Sequence, residues 1–409
     1  MFLVINIIGI FVFLAVGVLC SRDRKAIDYK GVGIAVVFNL VLAAFLLLTP
    51  IGVAIVEGAT SAFAWVASQA YHGVAFAFPN FVPAEFGGTL EKGGSMIFVI
   101  SALMPMLLMI PLFDTLTYIG FLPFVIKWVG RGVAFVTRRT KIESFFGVQM
   151  MFMGNTEALY ASRFQLKHLS PARNLTIAMM SMCSVSAAII SAYVTMVPGK
   201  FVVAAVPLNV VNALIVTALL NPTPVKKEDD VVYKITEGDE KKPPFMAFIG
   251  DSILGAGRMV LVVIAMVVAF IAFQNLIDAL LSLTTLKWLS LENILGVILS
   301  PFAFFLGIDT DHILKMGEYM GTKLITNEFV VMGEVAGTIN KFPQHFAGVL
   351  TVFLTSFANF STLGMVIGSF KTFASDESND HIASQVPRIL LAGLLVSLLS
   401  AAIAGVYIW

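Results

Sequence analysis

Long apolar runs separated by short polar clusters make up most of this chain. Phe2 to Cys20 is apolar and uncharged, and Arg22, Arg24, Lys25 and Lys30 follow it. A cleaved leader has the reverse charge order and a shorter apolar core, so the pattern predicts a retained crossing helix with its C-terminal flank in the cytoplasm. The next crossing is predicted from Val32 to Val56, followed by a mildly polar stretch through Glu57, His72, Pro79 and Glu91 that suits the outer face. A third, Met96 to Ile126, ends in Lys127, Arg131, Arg138, Arg139 and Lys141. Two crossings separate the two basic clusters, so both fall on the cytoplasmic side, as the positive-inside rule requires.

Beyond residue 143 the runs become irregular. Ser144 to Gly154 is apolar, Asn155-Thr156-Glu157 interrupts it, and basic ground returns at Arg163, Lys167, His168 and Arg173. About eleven helical residues rise roughly 16 Å, half a bilayer, which predicts a re-entrant hairpin with Glu157 at its tip. Crossings are predicted from Leu175 to Val197 and from Phe201 to Leu220, joined by Pro198-Gly199. The hydrophilic stretch Asn221 to Pro244 then reads as a cytoplasmic linker.

The second half repeats the plan. Ile253 to Leu283 is a long apolar run, Ile294 to Ile308 a shorter one, and Gly317 to Phe342 holds Asn327-Glu328 inside apolar sequence. Phe346 to Phe370 is interrupted at Phe357 to Thr362, and Ile389 to Trp409 is the last helix. Glu157 and Glu328 lie 171 residues apart, and the same displacement from Asn359 lands on Ala188, inside the small, hydroxyl-bearing segment Ser184 to Ala188. Each half thus presents a hairpin with a carboxylate at its tip, then a helix broken near its middle, which is how discontinuous-helix repeats read in sequence. The expected organisation is 1–95, N-terminal scaffold helices and external segment; 96–143, third crossing and basic interfacial helix; 144–220, first repeat; 221–244, linker; and 245–409, second half with a scaffold helix, second hairpin, broken helix and last helix.

Composition agrees with this pattern. Of 409 residues 58% are hydrophobic and 12% charged, with a mean hydropathy of +0.91, which excludes an ordinary water-facing surface. The fold class expected is an all-α polytopic membrane protein, with about eight transmembrane helices plus two re-entrant hairpins in inverted repeats. A net charge of +1 gives no argument for nucleic acid. Cys20 and Cys183 lie in apolar stretches and read as packing residues, and the five histidines form no HExxH pattern, so no metal and no cofactor is expected.

A carboxylate at the centre of a membrane helix costs roughly 2.5–3.5 kcal/mol, so Glu157 and Glu328 should face a cavity. Isolated polar residues such as Asn359 also serve as hydrogen-bonding glue between helices, and Arg258 and Asp278 sit where side chains reach out to water. Two glutamates, each at a hairpin tip beside an amide or hydroxyl, point instead to a ligand. Carboxylates accept from hydroxyls, while Asn155 and Asn359 both donate and accept. With no Arg or Lys in the interruptions, a neutral polyol-like or heterocyclic ligand fits best.

Gly154-Asn155-Thr156-Glu157-Ala158, Asn327-Glu328-Phe329-Val330 and Ser356-Phe357-Ala358-Asn359-Phe360-Ser361-Thr362 resemble, in order and spacing, three signature stretches of the concentrative nucleoside transporter family. The resemblance covers nearly the whole chain. It implies a homotrimer in the bacterial cytoplasmic membrane, with an elevator-like transport domain beside a scaffold and a uridine-like nucleoside as ligand. It also implies that Asn155, Thr156 and Glu157 face the base, that Glu328, Asn359 and Thr362 hold ribose hydroxyls, and that Phe357 packs against the ligand. Two positions depart from the family pattern: Asn155 stands where Gln is common, and Thr362 where Ser is usual.

Sodium-coupled members of that family share an Asn four residues before the hairpin glycine and a Ser in the following broken helix. The resemblance puts Met150 and Ala188 at those places, and neither side chain offers an oxygen to a hard cation. Proton coupling is therefore expected, with Glu157 or Glu328 as carrier. A sodium symporter, or a carrier of another neutral polar solute, is the alternative within transporters. A channel would need a continuous polar stripe, and a membrane-embedded enzyme a metal cluster or nucleophile; neither pattern is present.

Overall fold

The computed structural model describes residues 2–79, 81, 99–225, 230, 243–283 and 289–409, and these are α-helical with no strand among the described residues. The chain opens with α1 (Phe2–Leu19), α2 (Tyr29–Leu48) and α3 (Pro50–Ala77). The predicted crossing from Val32 to Val56 followed by an outer stretch is corrected here: the chain breaks at Thr49 and stays helical to Ala77. Thr49 Oγ1 accepts the Gly52 N–H at 3.0 Å and Pro50 takes the first helical position, a side-chain cap plus a preset φ that starts a new helix. The rest of that stretch, Asn80 and 82–98 with Glu91, lies outside the described residues.

A second correction concerns the third crossing. Instead of one run to Ile126, α4 (Met106–Tyr118) and α5 (Phe121–Thr137) meet at 78°. Gly120 makes the turn at φ +86°, a left-handed conformation that costs glycine little. Leu122, Ile126 and Gly130 of α5 are buried, while Phe124, Trp128 and Phe135 are exposed alongside Lys127 and Arg131, as suits a helix lying in the interface.

The first repeat continues with α6 (Lys141–Phe152), α7 (Asn155–Ala161), α8 (Arg163–His168), α9 (Pro171–Met180), α10 (Ala187–Met196) and α11 (Gly199–Leu220). Of the expected linker only 221–225, Asp230 and 243–244 are described; the Asp230 carboxylate accepts the Lys141 N–H at 2.9 Å, capping α6 from a distance. The second half comprises α12 (Phe245–Leu281), α13 (Leu291–Phe305), α14 (Ile313–Ile325), α15 (Glu328–Val335), α16 (Gln344–Leu354), α17 (Phe360–Phe373), α18 (Asp376–Ser384) and α19 (Val386–Gly405). By length and composition α1, α2, α3, α11, α12 and α19 can each cross a membrane.

The two halves, α4 to α11 and α12 to α19, follow the same order of elements, with α8 matched by a single 3-10 turn at Ile339–Lys341, but not in the register expected. Helix starts fix the register: the residues preceding α7, α9 and α10 are Gly154, Ser170 and Ser186, those preceding α15, α16 and α17 are Asn327, Pro343 and Asn359, and each pair is 173 residues apart. The displacement of 171 taken from the two glutamates is therefore two short. Glu157 is the third residue of its helix and Glu328 the first. Glu328 corresponds to Asn155, and Asn359 to Ser186. Past α17 the register lengthens because α18 has no counterpart in the first half.

Nearly all of α11 is buried, and it packs with α19 at the centre of the molecule. Buried amides hold this centre together, since an unpaired polar group in an apolar medium costs several kcal/mol. Asn212 Nδ2 donates to Ser400 Oγ at 2.8 Å, and Asn209 Nδ2 donates to the Thr355 carbonyl exposed by the break after α16. By contrast, only Ser252, Ala256 and Val260 of the 37-residue α12 are buried.

Candidate functional site

The breaks bring half-helix N-termini together, and an N-terminus carries unsatisfied N–H groups and a partial positive charge. At α15, Asn327 Oδ1 accepts the Val330 N–H at 3.1 Å; at α17, Asn359 Oδ1 accepts the Thr362 N–H at 2.7 Å. Capping uses only the oxygen of Asn359, so its amide group is free to reach across, and Nδ2 donates to Glu328 Oε2 at 3.0 Å. The other oxygen, Oε1, accepts the Tyr193 hydroxyl at 2.7 Å. Glu328 is 2% exposed, and Tyr193, on α10 of the first half, is wholly buried with its ring edge on Phe329.

An open cavity is lined by Asn155, Glu328, Phe357, Asn359 and Thr362. Five of the seven residues expected at the site are therefore brought to one wall. Thr156 lies on neither this cavity nor its neighbour. Its backbone N–H and hydroxyl both donate to Asn155 Oδ1, at 2.8 and 3.3 Å, which fixes the amide; the buried Asn155 Nδ2 has no partner.

Glu157 lines a second cavity beside the first, the two sharing Ile189 and Met259. The expectation that both carboxylates meet at opposing kinks is modified accordingly: they occupy neighbouring cavities. The Glu157 carboxylate folds back over the start of α7, where an added Cβ on Gly154 would lie 2.1 Å from Oε2. Asp114 of α4 shares this cavity and accepts the Ser252 hydroxyl of α12; Ser186 and Ala188 also line it. Ser184, in the same break, has a buried hydroxyl without a partner.

Three participants were not visible in the sequence pattern: Tyr193, Asp114 and Lys323. Lys323, near the end of α14, is wholly buried, and its ammonium donates to the Phe353 carbonyl and to Ser356 and Ser397. The interruptions themselves hold no cation, yet one reaches the second break from the neighbouring turn. All three of its donors are taken by the protein, so none remains for an anionic ligand. Among the described residues no three His, Cys, Asp or Glu side chains gather as a metal site.

Residues 201–405 match the family described as Na+ dependent nucleoside transporter C-terminus, and residues 8–81 its N-terminus. The chain is 39% identical over its whole length, and over the whole of that protein, to the purine nucleoside transport protein NupG of Bacillus subtilis (strain 168). It is 26% identical to the nucleoside permease NupC of Helicobacter pylori, over 98% of this chain and 97% of that one. Among solved structures it superposes on CNTnw in an inward-facing substrate-bound state with a TM-score of 0.91 at 25% identity, covering 100% of this chain and 98% of that one. An outward-facing CNTnw gives 0.90 at 24% identity, covering 100% and 99%, a likeness of fold. These are multi-pass membrane transporters with alternating access. The chain belongs to the concentrative nucleoside transporter family.

Proposed function

We propose that this protein imports nucleosides across the bacterial cytoplasmic membrane by proton symport, purine nucleosides first, with an elevator-type motion. The observation that carries the reading is Glu328, buried at the cavity wall with both oxygens already oriented by Tyr193 and Asn359. A carboxylate fixed in that way suits vicinal hydroxyls, so Glu328, Asn359 and Thr362 hold the ribose and Phe357 packs against the ligand. Asn155, steadied by Thr156, offers its free Nδ2 to the base, with Glu157 beyond it. Asn155 is one methylene shorter than the Gln common in the family, which leaves room for a bicyclic base. The name of the B. subtilis relative supports purines over the uridine-like ligand expected from the sequence.

Of the two carboxylates, Glu157 is the better proton carrier. Both Glu328 oxygens accept hydrogen bonds from the protein, whereas Glu157 is exposed to an open cavity that it shares with Asp114. Met150 and Ala188 supply no oxygen for sodium. Sodium coupling is the second reading, favoured by the description of the family as Na+ dependent and by the unpartnered Ser184 hydroxyl. The hairpins and broken helices within 144–220 and 245–409 form the moving unit, and α1 to α4 with α12 the scaffold of a homotrimer.

Proteoliposomes decide between the readings. Adenosine or inosine uptake should follow an imposed proton gradient, ignore a sodium gradient, and be competed more strongly by purine nucleosides than by uridine. Uptake driven by sodium alone would sink the proton assignment. Glu157→Gln should keep nucleoside exchange while losing its response to the proton gradient.

A further inference from the structure

Lys323 has no role in the reading above, yet it is among the largest fully buried side chains of the molecule. An ammonium taken out of water persists only where its donors are met, and here three donors meet three oxygens. Nζ lies 2.5 Å from the Phe353 carbonyl, 2.7 Å from Ser356 Oγ and 3.2 Å from Ser397 Oγ. The hydroxyl protons have their own acceptors: Ser397 donates to the Gly393 carbonyl at 2.9 Å, and Ser356 lies 2.6 Å from Ser397. Every hydrogen in the cluster therefore has one destination. Phe353 is in the last turn of α16, whose terminal carbonyls carry partial negative charge, and Ser356 lies in the break that ends at Asn359. The cluster thus joins the first arm of the second hairpin, the break between α16 and α17, and α19.

We infer that Lys323 is a positioning residue for the ribose end of the ligand site: its ammonium acts as a tethered monovalent cation that locks the second hairpin to the break between α16 and α17. Glu328 begins just past the end of α14 and Asn359 closes the break, so the same lock sets the distance across which Asn359 holds Glu328. The first repeat has no such device, because the residue 173 positions earlier is Met150, buried and unable to donate. The second hairpin is thereby fixed to its broken helix by a cation built into the chain.

The inference rests on the proposal that Glu328 and Asn359 hold ribose hydroxyls, and the test separates the two. Ser356→Ala and Ser397→Ala keep the lysine while removing one acceptor each. Ser400→Ala, on the same helix but bonded to Asn212 and not to Lys323, is the control. For the reconstituted full chain, Kd is measured for a ribonucleoside and for its 2′,3′-dideoxy analogue. Each of the two lysine-contacting variants is expected to weaken ribonucleoside binding at least about tenfold, near the lower end of what a hydrogen bond to a charged group contributes, and to leave dideoxynucleoside binding within about twofold. Ser400→Ala should move neither. Lys323→Met should show the same selective loss. Equal losses for both ligands, or no loss, would overturn the positioning role. Glu328→Gln reports on the underlying reading: if it weakens the two ligands equally, the ribose assignment fails first.

Discussion

The two repeats place the same backbone plan around the site and furnish it differently. At matched positions 173 residues apart, the second repeat has Lys323, Asn327, Glu328, Ser356 and Asn359 where the first has Met150, Gly154, Asn155, Cys183 and Ser186. In the second, hydrogen bonds among hairpin, break and central helices occupy the lysine, the carboxylate and the asparagine. In the first, Asn155 Nδ2 at the cavity wall is buried without a partner, and Glu157 lies against a bare glycine. A buried donor left unpaired costs about 1–3 kcal/mol, which a ligand meeting it would recover. The pair of halves thus combines a wall whose polar groups are met by the protein with one that leaves the Asn155 donor unmet.

The largest expected effect comes from breaking the satisfied wall. Glu328→Ala strips the acceptor from Tyr193 and Asn359 and leaves Lys323 without an opposing charge nearby, so the initial uptake rate per reconstituted transporter should fall at least about hundredfold. On the open wall, Gly154→Ala forces the Glu157 carboxylate off the start of α7; nucleoside affinity by calorimetry should drop roughly tenfold, with the ribose-to-dideoxyribose ratio unchanged. A smaller shift is expected from Asn155→Gln, which lengthens the amide arm: competition assays should move the purine-to-pyrimidine preference a few-fold toward pyrimidines. Smallest is Ser184→Ala, which removes a hydroxyl that bonds to nothing, so uptake should change less than about twofold and thermal stability should hold or rise. A loss confined to sodium-driven uptake in that variant would hand the first repeat a sodium site instead.

What could be read without coordinates was what recurs locally. Asn327-Glu328 and Phe357 to Thr362 stand out because polar residues inside apolar runs are expensive, and they fall at helix starts where caps belong. The register of the repeat is hidden in the sequence because the two glutamates look equivalent, although they occupy different positions in their helices. Gly120 gave no compositional warning of a 78° turn, since the sequence is apolar on both sides. Lys323, Tyr193 and Asp114 passed unnoticed for a common reason: Tyr193 finds Glu328 135 residues away, Ser252 finds Asp114 at 138, and Lys323 finds Ser397 at 74. Pairings at that range are set by how helices stack, which no local window contains.

One bond described above crosses the internal symmetry: the Tyr193 hydroxyl of the first half is held by the Glu328 carboxylate of the second. Any cycle that prised the halves apart to let a solute through would have to sever and remake it, deep in a dry interior, on every turnover. A cycle that slides both halves together past their surroundings leaves it untouched. Rigidity at this one seam therefore favours a binding pocket that travels whole over one that splits.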